Sequence, residues 1–166
     1  MTAPTRASEP LTAGPIDLAA TWPLAGALNA EAASGLMPTG PNATVERVKL
    51  LTGLGPSSMV SAADGTPLGM GGCAELLPGV AEAWALIGYE VTRRGLGLRF
   101  ARFARWQLDQ WIRQWPAWHR VYACVPAGSD RFDAWARCLG MRYEARLRQA
   151  RTDRGDLKIY VRFPKG

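Results

Sequence analysis

A short segment rich in arginine and glycine, Arg93–Gly97, is the part of this sequence best suited to bind an anion. It follows an apolar, strand-like run, Trp84–Ile87, and precedes a long amphipathic stretch that is typical of a helix. The first N–H groups of a helix have no intrahelical partner, and the helix dipole favours negative charge beside them. Because glycines carry no side chain, the backbone there can approach a phosphate closely. The segment therefore predicts an anion site at a helix N-terminus.

The spacing of the glycines and cysteines excludes several common sites. A P-loop requires Lys and then Ser or Thr after its last glycine, and no such pair follows Gly97. The full glycine set of a Rossmann dinucleotide site is also absent. The three cysteines are widely separated and lack the paired spacing of zinc ligands, so we expect reduced thiols and no metal site at Cys73, Cys124 and Cys138.

Charge is distributed unevenly along the 166 residues. Residues 1–90 contain three basic and eight acidic side chains, whereas residues 91–166 contain seventeen basic and six acidic ones. A C-terminal half this basic favours an anionic partner such as a phosphorylated cofactor or a nucleic acid, and a solvated arginine-rich surface is the alternative. The N-terminus has no apolar run, and no segment reaches the roughly 20 apolar residues that span a bilayer. We therefore expect a cytoplasmic protein without a membrane partner.

The sequence pattern predicts a flexible tail over residues 1–12 and a single domain over residues 13–166. A short first strand is expected around Ile16–Ala19, followed by alternating helical and strand periods. The predicted helices are Pro23–Leu36, Ala43–Leu54, Gly95–Trp115 and Ser129–Leu139. The other predicted strands are Ser58–Ala62, Leu68–Leu77, Val80–Tyr89, Arg120–Val125, Met141–Arg151 and Leu157–Phe163.

This order of elements resembles the fold of the GNAT N-acetyltransferases from about residue 14 to residue 163. The Arg93–Gly97 turn resembles the loop that binds the pyrophosphate of acetyl-coenzyme A (acetyl-CoA) in that family. Leu139-Gly140-Met141 is similar to the family's C-terminal leucine-glycine-phenylalanine segment, with Met in place of Phe. Trp84 together with Trp135–Gly140 is also similar to acetyltransferase-like proteins of tailed bacteriophages. The resemblance implies an α+β fold with a mixed, mainly antiparallel central sheet of six to seven strands, a splayed central pair and four flanking helices.

The same resemblance implies acetyl-CoA as cosubstrate and an acetyl transfer to the amine of a small molecule or a protein. Backbone groups at the end of the fourth strand would hold the pantetheine arm and the thioester, and backbone N–H groups of the loop would hold the pyrophosphate. Arg93 or Arg94 would add positive charge. The cofactor-binding residues implied in this way are Leu86, Ile87, Gly88, Arg93, Arg94, Gly95, Leu96 and Gly97.

Two side chains are candidates for catalysis by the same resemblance. Glu82 lies where some relatives carry a glutamate that deprotonates the amine through water, and a solvent-facing strand carboxylate is the alternative. Tyr122, on the strand after the long helix, could reach the end of the cofactor, and burial in the core is the alternative. The chain departs from the family at Thr92, where Gln or Arg is usual, and at Ala136, where a proton-donating Tyr is common.

Other functions remain open alongside acetyl transfer. The two departures motivate a non-catalytic module of the same fold, such as a phage virion or accessory protein. Several tryptophans interleaved with arginines could stack on single-stranded nucleic acid, although their spacing favours core packing and makes nucleic acid the less favoured partner: Trp106, Trp111, Trp115 and Trp118. A homodimer or a place in a virion is compatible with this pattern.

Overall fold

The computed structural model describes residues 10–21, 41–151 and 155–164. Residues 18–21 are helical, and the remaining helices are α1 (Pro41–Thr52), α2 (Tyr89–Arg93), α3 (Gly97–Gln114) and α4 (Asp130–Cys138). The strands are β1 (Thr12–Gly14), β2 (Ser57–Ser61), β3 (Pro67–Leu77), β4 (Val80–Ile87), β5 (Arg120–Pro126), β6 (Arg142–Leu147) and β7 (Leu157–Arg162).

The seven strands form one sheet in the order β1-β2-β3-β4-β5-β7-β6. Every neighbouring pair is antiparallel except β4 and β5, which are parallel. The expected α+β fold with a mixed, mainly antiparallel sheet is therefore confirmed. The parallel pair is the expected splayed pair. It is in register only from Val80 opposite Arg120 to Glu82 opposite Tyr122, although both strands continue well beyond these residues.

The sheet has a buried core on each face because successive strand side chains point to opposite sides. On one face, which we call the α1 face, Trp84 and Leu86 of β4 pack with Val48 and Leu51 of α1. On the other, the α3/α4 face, the core includes residues from β4, β5, α3 and α4: Ala81, Val121, Val125, Leu108 and Ala136. The two layers place α1 and the α3/α4 pair on opposite sides of the splayed strands.

Three predicted strands differ from the structure, and one of them, predicted over Met141–Arg151, spans only Arg142–Leu147. The first strand lies at Thr12–Gly14 rather than around Ile16–Ala19, and residues 18–21 are helical. The side chain of Asp17 accepts a hydrogen bond of 2.9 Å from the N–H of Ala19, which stabilises the start of this helical turn. The strand predicted to reach Tyr89 ends at Ile87, because α2 begins there. The helix predicted at Pro23–Leu36 lies outside the described residues.

The aromatic residues of α3 and the segment after it mainly pack in the core. Trp118 is buried and stacks on Trp115, with 5.6 Å between ring centroids, and Trp111 contacts the same cluster. Only Trp106 of this group is largely exposed, at 52%. The packing favours the structural interpretation of these rings over base stacking. None of the helices in the described ranges is long and apolar enough to cross a membrane.

Candidate functional site

A cavity of about 120 Å³ passes through the sheet where β4 and β5 separate, and we call it the wedge cavity. Ala85 is exposed although it lies in a central strand, because β5 no longer covers that edge of β4. Residues from both faces line the opening, among them Arg47, Glu82, Trp84, Cys124, Ala83, Ala123 and Ala136. The wedge cavity therefore joins the α1 face to the α3/α4 face.

A larger groove of about 330 Å³ lies at the end of β4, between the start of α3 and the helix α4. Gly97 and Leu98 line it from α3, and Arg131 lines it from α4. The groove and the wedge cavity share three lining residues, Ile87, Phe132 and Trp135. The two spaces therefore form one continuous cleft from the helix N-terminus to the separated strands.

The loop before α3 uses most of its own backbone N–H groups. The N–H of Arg94 donates to the carbonyl of Glu90 at 2.9 Å, and the N–H of Gly95 donates to that of Thr92 at 3.0 Å. The N–H of Leu96 donates to the carbonyl of Val91 at 2.8 Å. Gly95 adopts a φ of 67°, which permits this tight turn. The amides of Arg94, Gly95 and Leu96 are therefore occupied within the loop, in contrast to the expectation that they face an anion.

The first amides directed outward are those of the first turn of α3. This helix begins at Gly97, two residues later than predicted, and its first N–H groups have no intrahelical acceptor. Gly97 is exposed, and a Cβ built on it would meet no atom within 4 Å. Gly97 and Leu98 therefore present their main chain to the groove at the positive end of an 18-residue helix.

The side chains of Arg93 and Arg94 are engaged by acidic partners. Both arginines donate to the carboxylate of Glu90, at 2.6 Å from Arg93 and 3.0 Å from Arg94. Arg94 also forms an ion pair of 2.9 Å with Asp64 and donates to Thr66 Oγ1 at 2.9 Å. Hydrogen bonds from the two guanidinium groups lower the pKa of Glu90 to about 2. Arg94 therefore ties the loop to the β2–β3 turn, which differs from the expected role in charge donation to the cofactor.

We expect Arg94→Met to lower the melting temperature clearly more than Arg93→Met does. The Arg94 side chain is 20% exposed and joins Glu90, Asp64 and Thr66 on two separate elements, whereas the Arg93 side chain is 59% exposed and, among the described residues, pairs with Glu90. Thermal unfolding of the two variants, followed by circular dichroism, makes the comparison. Equal melting temperatures would show that the tie between the loop and the turn does not stabilise the fold.

Arg131 is a groove residue that the sequence analysis missed. It lies in the first turn of α4, and one of its Nη atoms donates to Thr92 Oγ1 at 2.8 Å. Both side chains are exposed at the rim of the groove, so a guanidinium group stands close to the start of α3. A signal was available: loops that follow the carboxyl ends of parallel strands meet at one edge of the sheet. Residues Thr92 and Arg131 follow the parallel strands β4 and β5.

The direction of the main-chain groups along β4 alters the expected pantetheine contacts. The N–H of Gly88 donates to the carbonyl of Leu68 at 2.8 Å, which directs the main chain of Gly88 toward β3. Because this direction alternates along a strand, the main chain of Leu86 also faces β3, and its buried side chain lies in the α1-face core. Of Leu86, Ile87 and Gly88, which the resemblance implies as pantetheine contacts, Ile87 is the one whose main-chain groups point at the opening between β4 and β5. The main chains of Ala83 and Ala85 point the same way.

Glu82 and Tyr122 lie side by side on the α1 face because they are partners in the parallel register. Glu82 is only 5% exposed, so it is not a solvent-facing strand carboxylate. Burial raises the pKa of Glu82, and the positive charge of Arg47 partly opposes this effect. The hydroxyl of Tyr122 donates a long hydrogen bond of 3.5 Å to Glu82 Oε2. A buried carboxylate with a raised pKa, in contact with a hydroxyl group, is a candidate for accepting a proton.

Two protonated groups stand next to this carboxylate. Burial and the charge of Glu82 raise the pKa of Tyr122 to about 12, and the same two causes raise the pKa of Cys124 to about 11. Both groups therefore keep their protons at neutral pH. Ala136, where the family commonly has Tyr, is 1% exposed and lines the wedge cavity without a polar group. This position of α4 therefore offers no proton donor, whereas the protonated Cys124 of β5 does line the cavity.

Solved structures with this architecture cover nearly the whole chain, whereas no known family model and no curated protein matches the sequence. A putative acetyltransferase from Salmonella typhimurium with acetyl-CoA superposes with a TM-score of 0.72 at 13% identity, over 95% of each chain. A ribosomal L7/L12 alpha-N-protein acetyltransferase in complex with coenzyme A (CoA) gives 0.69 at 14% identity, over 92% of this chain and 93% of that one. A spermidine N-acetyltransferase mutant from Vibrio cholerae gives 0.69 at 15% identity, over 93% and 94%. The chain therefore has the fold of the GNAT acetyltransferases.

Proposed function

We propose that this protein transfers an acetyl group from acetyl-CoA to a primary amine. The observation that carries the proposal is the continuous cleft, which runs from the exposed amides of α3 to a buried carboxylate between separated strands. Two solved proteins of the same fold hold CoA or acetyl-CoA. The groove at the start of α3 suits a diphosphate, and the wedge cavity suits a narrow thioester arm. Both features support acetyl-CoA as the ligand of this cleft.

The residues that would hold the cofactor are distributed along this cleft. The N–H groups of Gly97 and Leu98 would donate to the diphosphate at the positive end of α3, and the guanidinium of Arg131 would supply charge from the opposite wall. The free edge of β4 at Ala85 and Ile87 would pair with the amide groups of the pantetheine arm, as an added strand does. When bound, acetyl-CoA supplies the activated acetyl group.

The side chains on the α1 face would then manage the protons of the reaction. Glu82 would accept a proton from the attacking amine, directly or through one water, and its raised pKa suits this role. As the bond between the carbonyl carbon and sulfur breaks, Tyr122 would donate its proton to the departing thiolate and regain one from the protonated Glu82 through their hydrogen bond. An N–H group on the free edge of β4 would polarise the thioester carbonyl. Positioning of the two reactants supplies the remaining rate advantage.

We expect Arg131→Ala to weaken CoA binding about tenfold, the lower end of the range for a lost hydrogen bond to a charged group. Arg137→Ala is the matched control, because Arg137 is an exposed arginine on the same helix that does not line the groove. Calorimetric titration with CoA measures both affinities. If the two variants bind CoA equally well, Arg131 has no part in the cofactor site.

The proposed function is tested by binding and then by turnover. Calorimetric titration with acetyl-CoA should show one site per chain, and release of free thiol should follow when an accepted amine is added. The amine panel should contain polyamines, amino acids and peptides with free N-termini or lysines. Binding without turnover on any amine would favour the non-catalytic module that Thr92 and Ala136 motivate, such as a phage accessory protein. A complete lack of binding would contradict both.

A further inference from the structure

A third cavity, of about 60 Å³, lies beneath α3 on the α3/α4 face, and we call it the under-helix cavity. It shares several lining residues with the wedge cavity, so the two are contiguous: Ala83, Trp84, Ala85, Trp135 and Leu139. None of the described residues that line it is charged. The space is therefore an apolar side chamber of the cleft, next to the point where β4 and β5 separate.

Small residues on the sheet and on the helix together create this space. Ser58, Gly71 and Ala85 are direct neighbours across β2, β3 and β4, so they form one row of small residues on the floor. A Cβ on Gly71 would approach the carbonyl oxygen of Trp84 at 2.7 Å, so close strand pairing requires glycine there. Above the row, the buried stripe of α3 is interrupted by Ala104.

Ala104 lies four residues after one large buried side chain of α3 and four residues before another. Phe100 and Leu108 are almost fully buried at the four-residue spacing on either side, which places all three residues on one stripe. A large residue between them would fill the chamber, because protein interiors are normally close-packed. The gap at Ala104 and the small row below it therefore face each other across the same space.

We propose that the under-helix cavity receives the distal carbons of an acyl group longer than acetyl, so that butyryl-CoA is a better ligand than acetyl-CoA. This inference rests on the proposed function, because the thioester must lie in the wedge cavity next to Ala83. About 60 Å³ is room for two groups the size of a water molecule, which occupies roughly 30 Å³ and is close to a methylene in size. An uncharged lining would penalise a carboxylate at the end of the acyl chain, so a plain hydrocarbon chain fits best.

Calorimetric titrations with CoA, acetyl-CoA and butyryl-CoA test the proposal without knowledge of the amine. Burial of a methylene strengthens binding about fourfold, so two methylenes should make butyryl-CoA about fifteenfold tighter than acetyl-CoA. Ala104→Leu should fill the chamber from the helix and bring the two affinities together, with acetyl-CoA binding unchanged. Ser58→Val, which fills it from β2, is the second variant. Gln114→Leu is the matched control on an exposed turn of the same helix, and it should keep the native ratio.

The outcomes separate this inference from the proposed function. Tighter binding of butyryl-CoA that Ala104→Leu or Ser58→Val removes in a folded protein, as judged by thermal unfolding, supports the under-helix cavity as an acyl site. Binding of CoA and acetyl-CoA with no preference for butyryl-CoA overturns the inference and leaves the proposed function intact. The inference is also overturned, and the proposed function left intact, if Ala104→Leu and Ser58→Val both keep the native preference for butyryl-CoA. A protein that binds none of the three ligands overturns both.

Discussion

Gly97→Val is expected to weaken CoA binding by about 100-fold or more while the protein remains folded. The substituted side chain would project into open space at the start of α3, where no atom lies within 4 Å of the Cβ position. That space is where the proposed diphosphate must stand to reach the N–H groups of Gly97 and Leu98. The expected loss corresponds to two hydrogen bonds to a charged group. Calorimetric titration with CoA measures it.

Gly14→Val is the matched control for this variant. Gly14 also has no atom within 4 Å of its Cβ position and no positive φ, but it lies in β1, far along the sheet from β4. Gly95 is unsuitable for the test because its φ of 67° would strain any other residue. Equal CoA affinity in Gly97→Val and Gly14→Val would contradict the placement of the diphosphate at α3.

Glu82→Gln is expected to lower turnover by about 10²- to 10⁴-fold, the usual contribution of a general base, with CoA affinity unchanged. In the native protein, turnover should rise with pH through the raised pKa of Glu82, and this rise should disappear in the variant. Glu46→Gln, an exposed carboxylate on α1, is the control and should keep the native profile. Native-like turnover in Glu82→Gln would assign the base elsewhere.

Although Glu82→Gln should lower turnover, it should raise the stability of the folded protein at neutral pH. Burial raises the pKa of Glu82 in the folded protein above its ordinary value of 4.5, so the folded state binds its proton more tightly than the unfolded state does. Between these two pKa values the folded protein holds more protons, and the free energy of unfolding therefore falls as pH rises. We expect Glu82→Gln to be more stable than the native protein at pH 7, with a smaller difference at pH 4. A less stable variant at pH 7 would contradict the burial argument.

The sequence predicted most elements of the fold because their signals are local. Asp64-Gly65 marks the turn between β2 and β3, and the spacing of Phe100 and Leu108 marks the buried stripe of α3. The helix α2 was missed, although Glu90 precedes Arg93 and Arg94 at the three- and four-residue spacing of helical ion pairs. The sequence pattern places the start of α3 at Gly95, whereas Gly95 ends the preceding turn with a φ of 67°.

The candidate site was harder to predict because its contacts depend on strand register. Glu82 meets Tyr122 only because β4 and β5 align at that pair, forty residues apart in sequence. The pairing of β4 with β3 decides that the main chain of Ile87 points at the opening beside β5, whereas the main chain of Leu86 faces β3. Arg131 reaches the groove through the same crossover between parallel strands. Residue types suggest these partners, and register decides which of them meet.

A crystal structure of the protein with CoA is the most direct measurement of the central claim. We expect the diphosphate within hydrogen-bonding distance of the N–H groups of Gly97 and Leu98, and the pantetheine arm along the free edge of β4 at Ala85 and Ile87. A CoA molecule bound at any other place, or a diphosphate held only by Arg93 and Arg94, would contradict it.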